Sequence, residues 1–170
     1  MQLAKLIEKT MSKEQAIQQY QVSVNQCLDK LIYRLVSELS VVSHAKHAPE
    51  TYLLDFEVEM QDFTRGFPVY WFPMDREATQ LESDLSLMLL PDIEFTVPER
   101  IVKTYSDVGV ETWELGYNAL VAWFGECWRK ADGLKCAYPA YIAPHDSIFS
   151  VNLATMKEVT DDEKWPAEPC

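Results

Sequence analysis

A strict alternation of apolar and acidic residues over 53–60 constrains the fold of this chain more than any other feature. Apolar and carboxylate side chains follow one another in the order Leu54, Asp55, Phe56, Glu57, Val58, Glu59 and Met60. Successive side chains of an extended strand point to opposite faces of a sheet. The pattern therefore predicts a strand that covers a core with one face. Its other face carries an acidic ladder, whose carboxylates stand about 7 Å apart.

The size and composition of the chain predict one soluble domain. A length of 170 residues suffices to bury a core without support from disulfides or metals. The sequence has no apolar run long enough to cross a bilayer, and residues 1–8 do not resemble a signal peptide. The four cysteines, Cys27, Cys127, Cys136 and Cys170, are widely spaced and form no CxxC pair. These features predict a cytoplasmic protein with reduced thiols.

The charge of the chain is strongly and unevenly negative. The formal net charge is −12, and residues 51–170 alone contribute −13. Such a surface repels phosphate backbones and anionic lipids, so binding to nucleic acid or to a membrane is not expected. It attracts basic partners through long-range steering. Acidity that merely keeps the protein soluble is the alternative explanation.

The first half of the chain begins with a long predicted helix. Ser12 and Gln15 form the pattern of a capping box, and apolar residues recur every three or four positions from Ile17 to Val42. The helix is predicted over 12–47, just before Pro49. Its apolar stripe is predicted to pack on the sheet of its own chain, and a homodimer through the 17–42 stripe is the alternative.

The remaining segments alternate between predicted strands and helices. A β-hairpin is predicted over 51–72, because two extended segments flank a short loop that contains Gly66. Helices are predicted over 75–90 and 111–131, the second apolar around most of its circumference. Strands are predicted within 138–160, followed by a polar tail over 161–170. This order predicts a single α+β domain, with helices packed on a mostly antiparallel sheet.

The acidic ladder is the strongest candidate for a binding surface. The ladder places the carboxylates of Asp55, Glu57 and Glu59 on one face of the strand, and Asp62 extends it. These carboxylates repel one another unless water or a cation screens their charges. The predicted partner strand, Phe67–Phe72, contains no basic residue to pair with them. The sequence leaves open a second neighbouring strand that supplies such a partner.

A histidine next to an aspartate is the candidate for catalysis. His145 and Asp146 lie in a turn-rich segment between two predicted strands. A histidine with a carboxylate can act as a general base, but adjacent side chains diverge and no nucleophile motif accompanies this pair. The alternative is that Asp146 caps its own turn.

No metal site and no cofactor are expected from the motifs. His44, His47 and Glu50 share a three-residue spacing, but Pro49 interrupts the helix that would align them. Cys127, Cys136 and His145 are too widely spaced for an ordinary structural zinc site. Phosphate-binding glycine loops and zinc-protease motifs are absent from the sequence.

Three functions remain for this sequence. The first is a non-enzymatic module that binds a basic protein, for example an immunity-type inhibitor, with Asp55, Glu57, Glu59 and Asp62 in the interface. The alternatives are a small enzyme around His145 and Asp146, or an assembly subunit that pairs through its long helix.

Overall fold

The computed structural model describes residues 11–90 and 95–167. Among these residues, four helices pack on one face of a six-stranded sheet and a short C-terminal helix lies on the other face. One pair of neighbouring strands in the sheet is parallel and the other pairs are antiparallel. The helices are α1 (Lys13–Leu28), α2 (Ile32–His44), α3 (Glu99–Ser106), α4 (Thr112–Lys130) and the short α5 (Asp161–Lys164). The strands are β1 (Leu53–Val58), β2 (Val69–Met74), β3 (Met88–Leu89), β4 (Ala140–Pro144), β5 (Phe149–Asn152) and β6 (Lys157–Thr160). The predicted α+β class is confirmed.

The long N-terminal helix forms as predicted, but in two segments. Ser12 and Gln15 make both hydrogen bonds of the capping box. A 3₁₀ turn at Asp29–Leu31 then joins α1 to α2, which ends at His44 rather than at residue 47. Tyr20, Leu35 and other members of the apolar stripe are buried against the rest of the chain. The stripe therefore packs within its own chain, as predicted, and the alternative of a homodimer through 17–42 stays a prediction.

The core lies between the helices and the apolar face of β1. The Phe56 ring packs edge-on against Phe124 and Trp128 of α4, with ring centroids 5.1 and 5.5 Å apart. Trp123 is also buried, as expected for a central helix. Trp113 differs, because it lies in the first turn of α4 and remains 46% exposed.

The hairpin of β1 and β2 is confirmed, with Asp55 opposite Phe72 and Glu57 opposite Tyr70. The predicted helix over 75–90 is wrong. The Asp75 carboxylate accepts hydrogen bonds from the backbone N–H groups of Glu77 and Thr79, which closes a turn instead of starting a helix. Beyond that turn the chain runs back along β2, where the backbone N–H of Trp71 donates to the Leu87 carbonyl.

The C-terminal strands are confirmed, but the prediction of a polar tail from residue 161 onward is wrong for residues 161–164. Residues 161–164 form α5, which is capped by Thr160 and Glu163. Lys164 is buried, and the Trp165 ring lies 6.1 Å from the Tyr52 ring. Residues 168–170 of the predicted tail lie outside the described residues. No helix in the described part of the chain is long and apolar enough to cross a membrane.

Candidate functional site

The outer face of the sheet, opposite helices α1–α4, carries the acidic ladder. The register places Asp55 between Phe72 of β2 and Tyr141 of β4, and Glu57 between Tyr70 and Ala143. The Tyr70 and Phe72 rings stack on this face, with centroids 6.3 Å apart. The predicted alternation of β1 is therefore confirmed, but the ladder has a second neighbour, β4, that supplies new contacts.

Asp55 is held by a lysine from the C-terminal helix. Lys164 Nζ lies 2.7 Å from Asp55 Oδ2 and 3.2 Å from the Ser150 hydroxyl oxygen. The Lys164 side chain is 6% exposed and that of Asp55 is 20% exposed. Burial raises the pKa of Asp55, although Lys164 opposes that shift. Asp55 is therefore part of a largely buried ion pair and offers little free charge to a partner.

Glu57 makes a hydrogen bond with His145. The His145 backbone N–H donates to the Val58 carbonyl at 3.1 Å, which continues the parallel β1–β4 ladder. That bond places the imidazole beside β1, where Nδ1 contacts a carboxylate oxygen of Glu57. This hydrogen bond raises the pKa of His145 above its ordinary value of 6.5. The second neighbouring strand that the sequence left open is therefore β4, which leads to His145 beside Glu57, whereas the basic partner of Asp55 comes from α5.

Glu59 and Asp62 line a groove at the end of β1. The groove has a volume of about 610 Å³, and its walls include Arg65, Trp113 and His145. Asp62 accepts hydrogen bonds from the backbone N–H and the hydroxyl of Thr64, which lower the pKa of its carboxyl. Glu59 is 45% exposed. The groove therefore combines two carboxylates with an exposed indole ring.

The side chains of His145 and Asp146 approach each other, although neighbouring side chains usually diverge. Asp146 adopts a left-handed backbone conformation, with φ of 58°. Its Oδ2 lies 3.3 Å from His145 Nε2. The imidazole therefore lies between two carboxylates, with Nδ1 facing Glu57 and Nε2 facing Asp146. Carboxylates on both ring nitrogens stabilise the imidazolium form.

The other candidate ligand sets are not assembled. His44 ends α2 and its Nδ1 contacts the Ser40 carbonyl, whereas His47 lies beyond the helix and packs between Trp71 and Tyr138. Cys127 is buried in α4, and burial raises the pKa of its thiol to about 12. It belongs to the core, as the sequence indicated, and among the described residues it is in no group of three ligand atoms within 4.8 Å of one another.

The sequence did not point to Lys164 on the outer face or to Arg65 in the groove. Lys164 lies in an acidic segment, Asp161-Asp162-Glu163-Lys164, that indicated a solvated tail. The position of a basic residue among carboxylates was the available signal.

Comparisons with family models, with curated proteins and with solved structures found no match.

Proposed function

We propose that the protein is a non-enzymatic binding module that docks a basic protein in the groove at the end of β1. The observation that carries the proposal is the arrangement of Glu59, Asp62 and Trp113 around one open groove. Carboxylates form charge-assisted hydrogen bonds with lysine and arginine, and an exposed indole face attracts the same cations. The groove therefore suits a basic side chain of the partner.

The charges of the surrounding surface support the same partner chemistry. The formal net charge of −12 steers a cationic partner toward the protein before contact. Glu57 lies next to the groove, because its carboxylate contacts His145 of the groove wall. Glu57, Glu59 and Asp62 are therefore the docking residues. Asp55, which the sequence also suggested, is assigned a structural role because Lys164 already pairs with it.

An immunity-type inhibitor is one use of such a module. A basic enzyme that acts on an anionic substrate carries a cationic site, and a carboxylate-lined groove can cover that site in place of the substrate. Inhibition of this kind needs no chemistry from the inhibitor. It needs fast association, which complementary charge supplies.

The proposal is tested by capture of partners from a native lysate in the presence of a metal chelator, with washes at low and at high salt. We expect one basic protein to be retained at low salt and released at high salt. The triple variant Glu57→Gln, Glu59→Gln, Asp62→Asn is expected to lose most of this retention. Retention by the triple variant equal to that of the wild type would refute the assignment of the docking site.

A matched control separates the groove from net charge. The triple variant Glu99→Gln, Asp107→Asn, Glu126→Gln removes the same number of negative charges from the helical layer on the other side of the sheet. It is expected to retain the partner, with at most a small loss of association rate. Equal losses in the two triple variants would show that overall charge, rather than the groove, determines binding.

A small enzyme around His145 and Asp146 is the second candidate. The observation in its favour is the hydrogen bond between Glu57 and His145, since a carboxylate that orients an imidazole is a common feature of general bases. A His145→Ala variant that loses turnover of an identified substrate, while it still captures the basic protein, would favour the enzyme. Capture without any turnover in the wild type would favour the binding module.

A further inference from the structure

Three side chains that are suitable as metal ligands converge at the end of β1 and β4. Glu57, Glu59 and His145 each place one ligand atom within 4.8 Å of the other two. His145 Nδ1 lies 4.0 Å from Glu59 Oε1 and also contacts Glu57. Two donors bound to one zinc ion at about 2.0–2.1 Å each are separated by at most about 4.2 Å. A single ion can therefore reach all three groups with only side-chain adjustment.

The backbone fixes the spacing of these ligands. Glu57 lies on β1, and Glu59 is the first residue after it, where its N–H still donates to the Pro68 carbonyl at 3.1 Å. The two residues are two positions apart along this extended segment, so they point to the same face of the sheet. His145 follows Pro144, which pairs with Val58 in the parallel ladder, and its N–H donates to the Val58 carbonyl. Glu59 and His145 follow the ends of these strands directly, and their backbone hydrogen bonds to Pro68 and Val58 tie both ligands to the rigid sheet.

Asp146 orients the imidazole from its other side. Its Oδ2 lies 3.3 Å from His145 Nε2, on the ring edge opposite the two glutamates. A histidine that binds a metal through one nitrogen usually donates its other N–H to a carboxylate or carbonyl, which fixes the tautomer and the ring orientation. The contact between Asp146 and Nε2 has the geometry of such an orienting hydrogen bond, and it involves none of the three proposed ligand atoms.

We propose that Glu57, Glu59 and His145 form a binding site for one divalent transition-metal ion of the zinc class, with Asp146 as a positioning residue. The imidazole nitrogen disfavours Mg²⁺ and Ca²⁺, which prefer oxygen ligands, and favours Zn²⁺, Co²⁺ and related ions. Three protein ligands leave a fourth position for water or for a donor of another molecule. The groove lined by Glu59 and His145 gives access to that position. The inference does not rest on the proposed docking function.

The site is tested with Co²⁺, a spectroscopic substitute for zinc, added to the metal-free full-length protein. We expect saturable binding of one ion, seen in the visible d–d absorption, and displacement by Zn²⁺ but not by Mg²⁺. His145→Ala and Glu59→Gln are expected to abolish this absorption while the far-ultraviolet circular dichroism remains unchanged. Binding that persists in His145→Ala, or the absence of saturable binding to the wild type, would overturn the proposal.

Two further variants define the roles of the surrounding residues. Asp146→Asn should weaken Co²⁺ binding about 10- to 100-fold with the same absorption spectrum, because it changes orientation and not ligation. The control His44→Ala, His47→Ala removes the other two histidines of the chain and should bind Co²⁺ like the wild type. Weakened binding in this control would place the ion elsewhere and contradict the assignment.

The same measurements separate the metal site from the docking function. Asp62→Asn with Trp113→Leu should impair capture of the basic protein and leave Co²⁺ binding intact, since neither residue is a ligand. Conversely, the ion neutralises the charges of Glu57 and Glu59, so bound Zn²⁺ should weaken capture of a basic partner, and by linkage the partner should weaken Zn²⁺ binding. Failure of capture in the chelator with intact Co²⁺ binding would refute the docking function alone.

Discussion

Lys164 and Asp55 are 109 residues apart in the sequence, yet Lys164 Nζ lies 2.7 Å from Asp55 Oδ2 on the outer face of the sheet. The lysine also lies over the Tyr141 ring, with Nζ 5.6 Å from the ring centroid. This ion pair fastens the C-terminal helix α5 to the central strand β1. Asp55, the most buried carboxylate of the acidic ladder, is therefore already paired with a cation of its own chain.

Replacement of Lys164 by methionine should destabilise the fold. The change leaves the Asp55 carboxylate in a largely buried position without its cation, and breaking such a pair costs about 2–4 kcal/mol of the free energy of unfolding. Urea denaturation monitored by tryptophan fluorescence measures this loss. The exposed Lys157 of β6 provides the control, since Lys157→Met should change the stability by less than about 0.5 kcal/mol.

A double-mutant cycle tests whether the loss comes from the ion pair itself. Asp55→Asn removes the charge that Lys164→Met would leave unpaired, so the double variant should be more stable than the sum of the two single effects. Strict additivity of the two single changes would show that Lys164 stabilises the protein only through its packing.

The protonation of His145 should depend on Glu57. The hydrogen bond that the His145 ring donates to the Glu57 carboxylate is the main cause that raises the pKa of His145 above 6.5 in the folded protein. In a metal-free sample, a titration of the His145 ring by NMR should give a lower pKa in Glu57→Gln. Asp146→Asn is the control, and it should lower the pKa by a smaller amount. An unchanged pKa in Glu57→Gln would contradict the described contact.

The sign of the pH dependence follows from this shift. A raised pKa in the folded state means that the folded protein holds the His145 proton more tightly than the unfolded chain does. The stabilisation is therefore fully present below pH 6.5 and is lost as the pH rises through the folded-state pKa. The difference in stability between wild type and Glu57→Gln should narrow over that range. A difference that widens would have the wrong sign.

Gly133 should not tolerate alanine. An added Cβ atom at Gly133 would lie 2.2 Å from the indole of Trp128, which is buried and rigid. We expect Gly133→Ala to cost about 1–3 kcal/mol in thermal or urea unfolding, as overpacked core sites do. Gly125→Ala is the comparison, because its Cβ would meet the flexible side chain of Met156. It should cost less, and the opposite order would contradict this account of the packing.

Cys127 should be the slowest to react of the cysteines that the structure describes. Its side chain is buried, and burial raises the pKa of its thiol to about 12, so very little thiolate forms near neutral pH. Cys27 and Cys136 are partly exposed and should react first with iodoacetamide. Peptide mass spectrometry measures the order of labelling, and labelling in denaturant serves as the control. Early modification of Cys127 in the folded protein would refute its placement in the core.

The sequence determined the elements that have a local physical cause. The capping box of Ser12 and Gln15 satisfies backbone donors within four residues, so it predicted the start of α1. The period-two alternation of 54–60 predicted both β1 and the face on which its carboxylates lie. The apolar circumference of α4 likewise predicted a buried central helix.

The local signal was misleading in the segment 75–90, where apolar residues recur at helical spacing. There the Asp75 carboxylate forms a turn, and the backbone is satisfied by pairing with β2 rather than within a helix. Local spacing cannot anticipate a hydrogen-bonding partner in another strand, because that partner is provided by the assembled sheet.

Only the tertiary structure decided which partners the acidic ladder has. His145 reaches Glu57 across 88 positions because β4 adds to β1 in parallel, and Lys164 reaches Asp55 because α5 folds over the sheet. Neither parallel pairing nor the path of a terminal helix leaves a periodic signal in the sequence. The sequence thus determined the carboxylates and their common face, whereas the assembled sheet determined which of them is paired with a basic residue and which lines the groove.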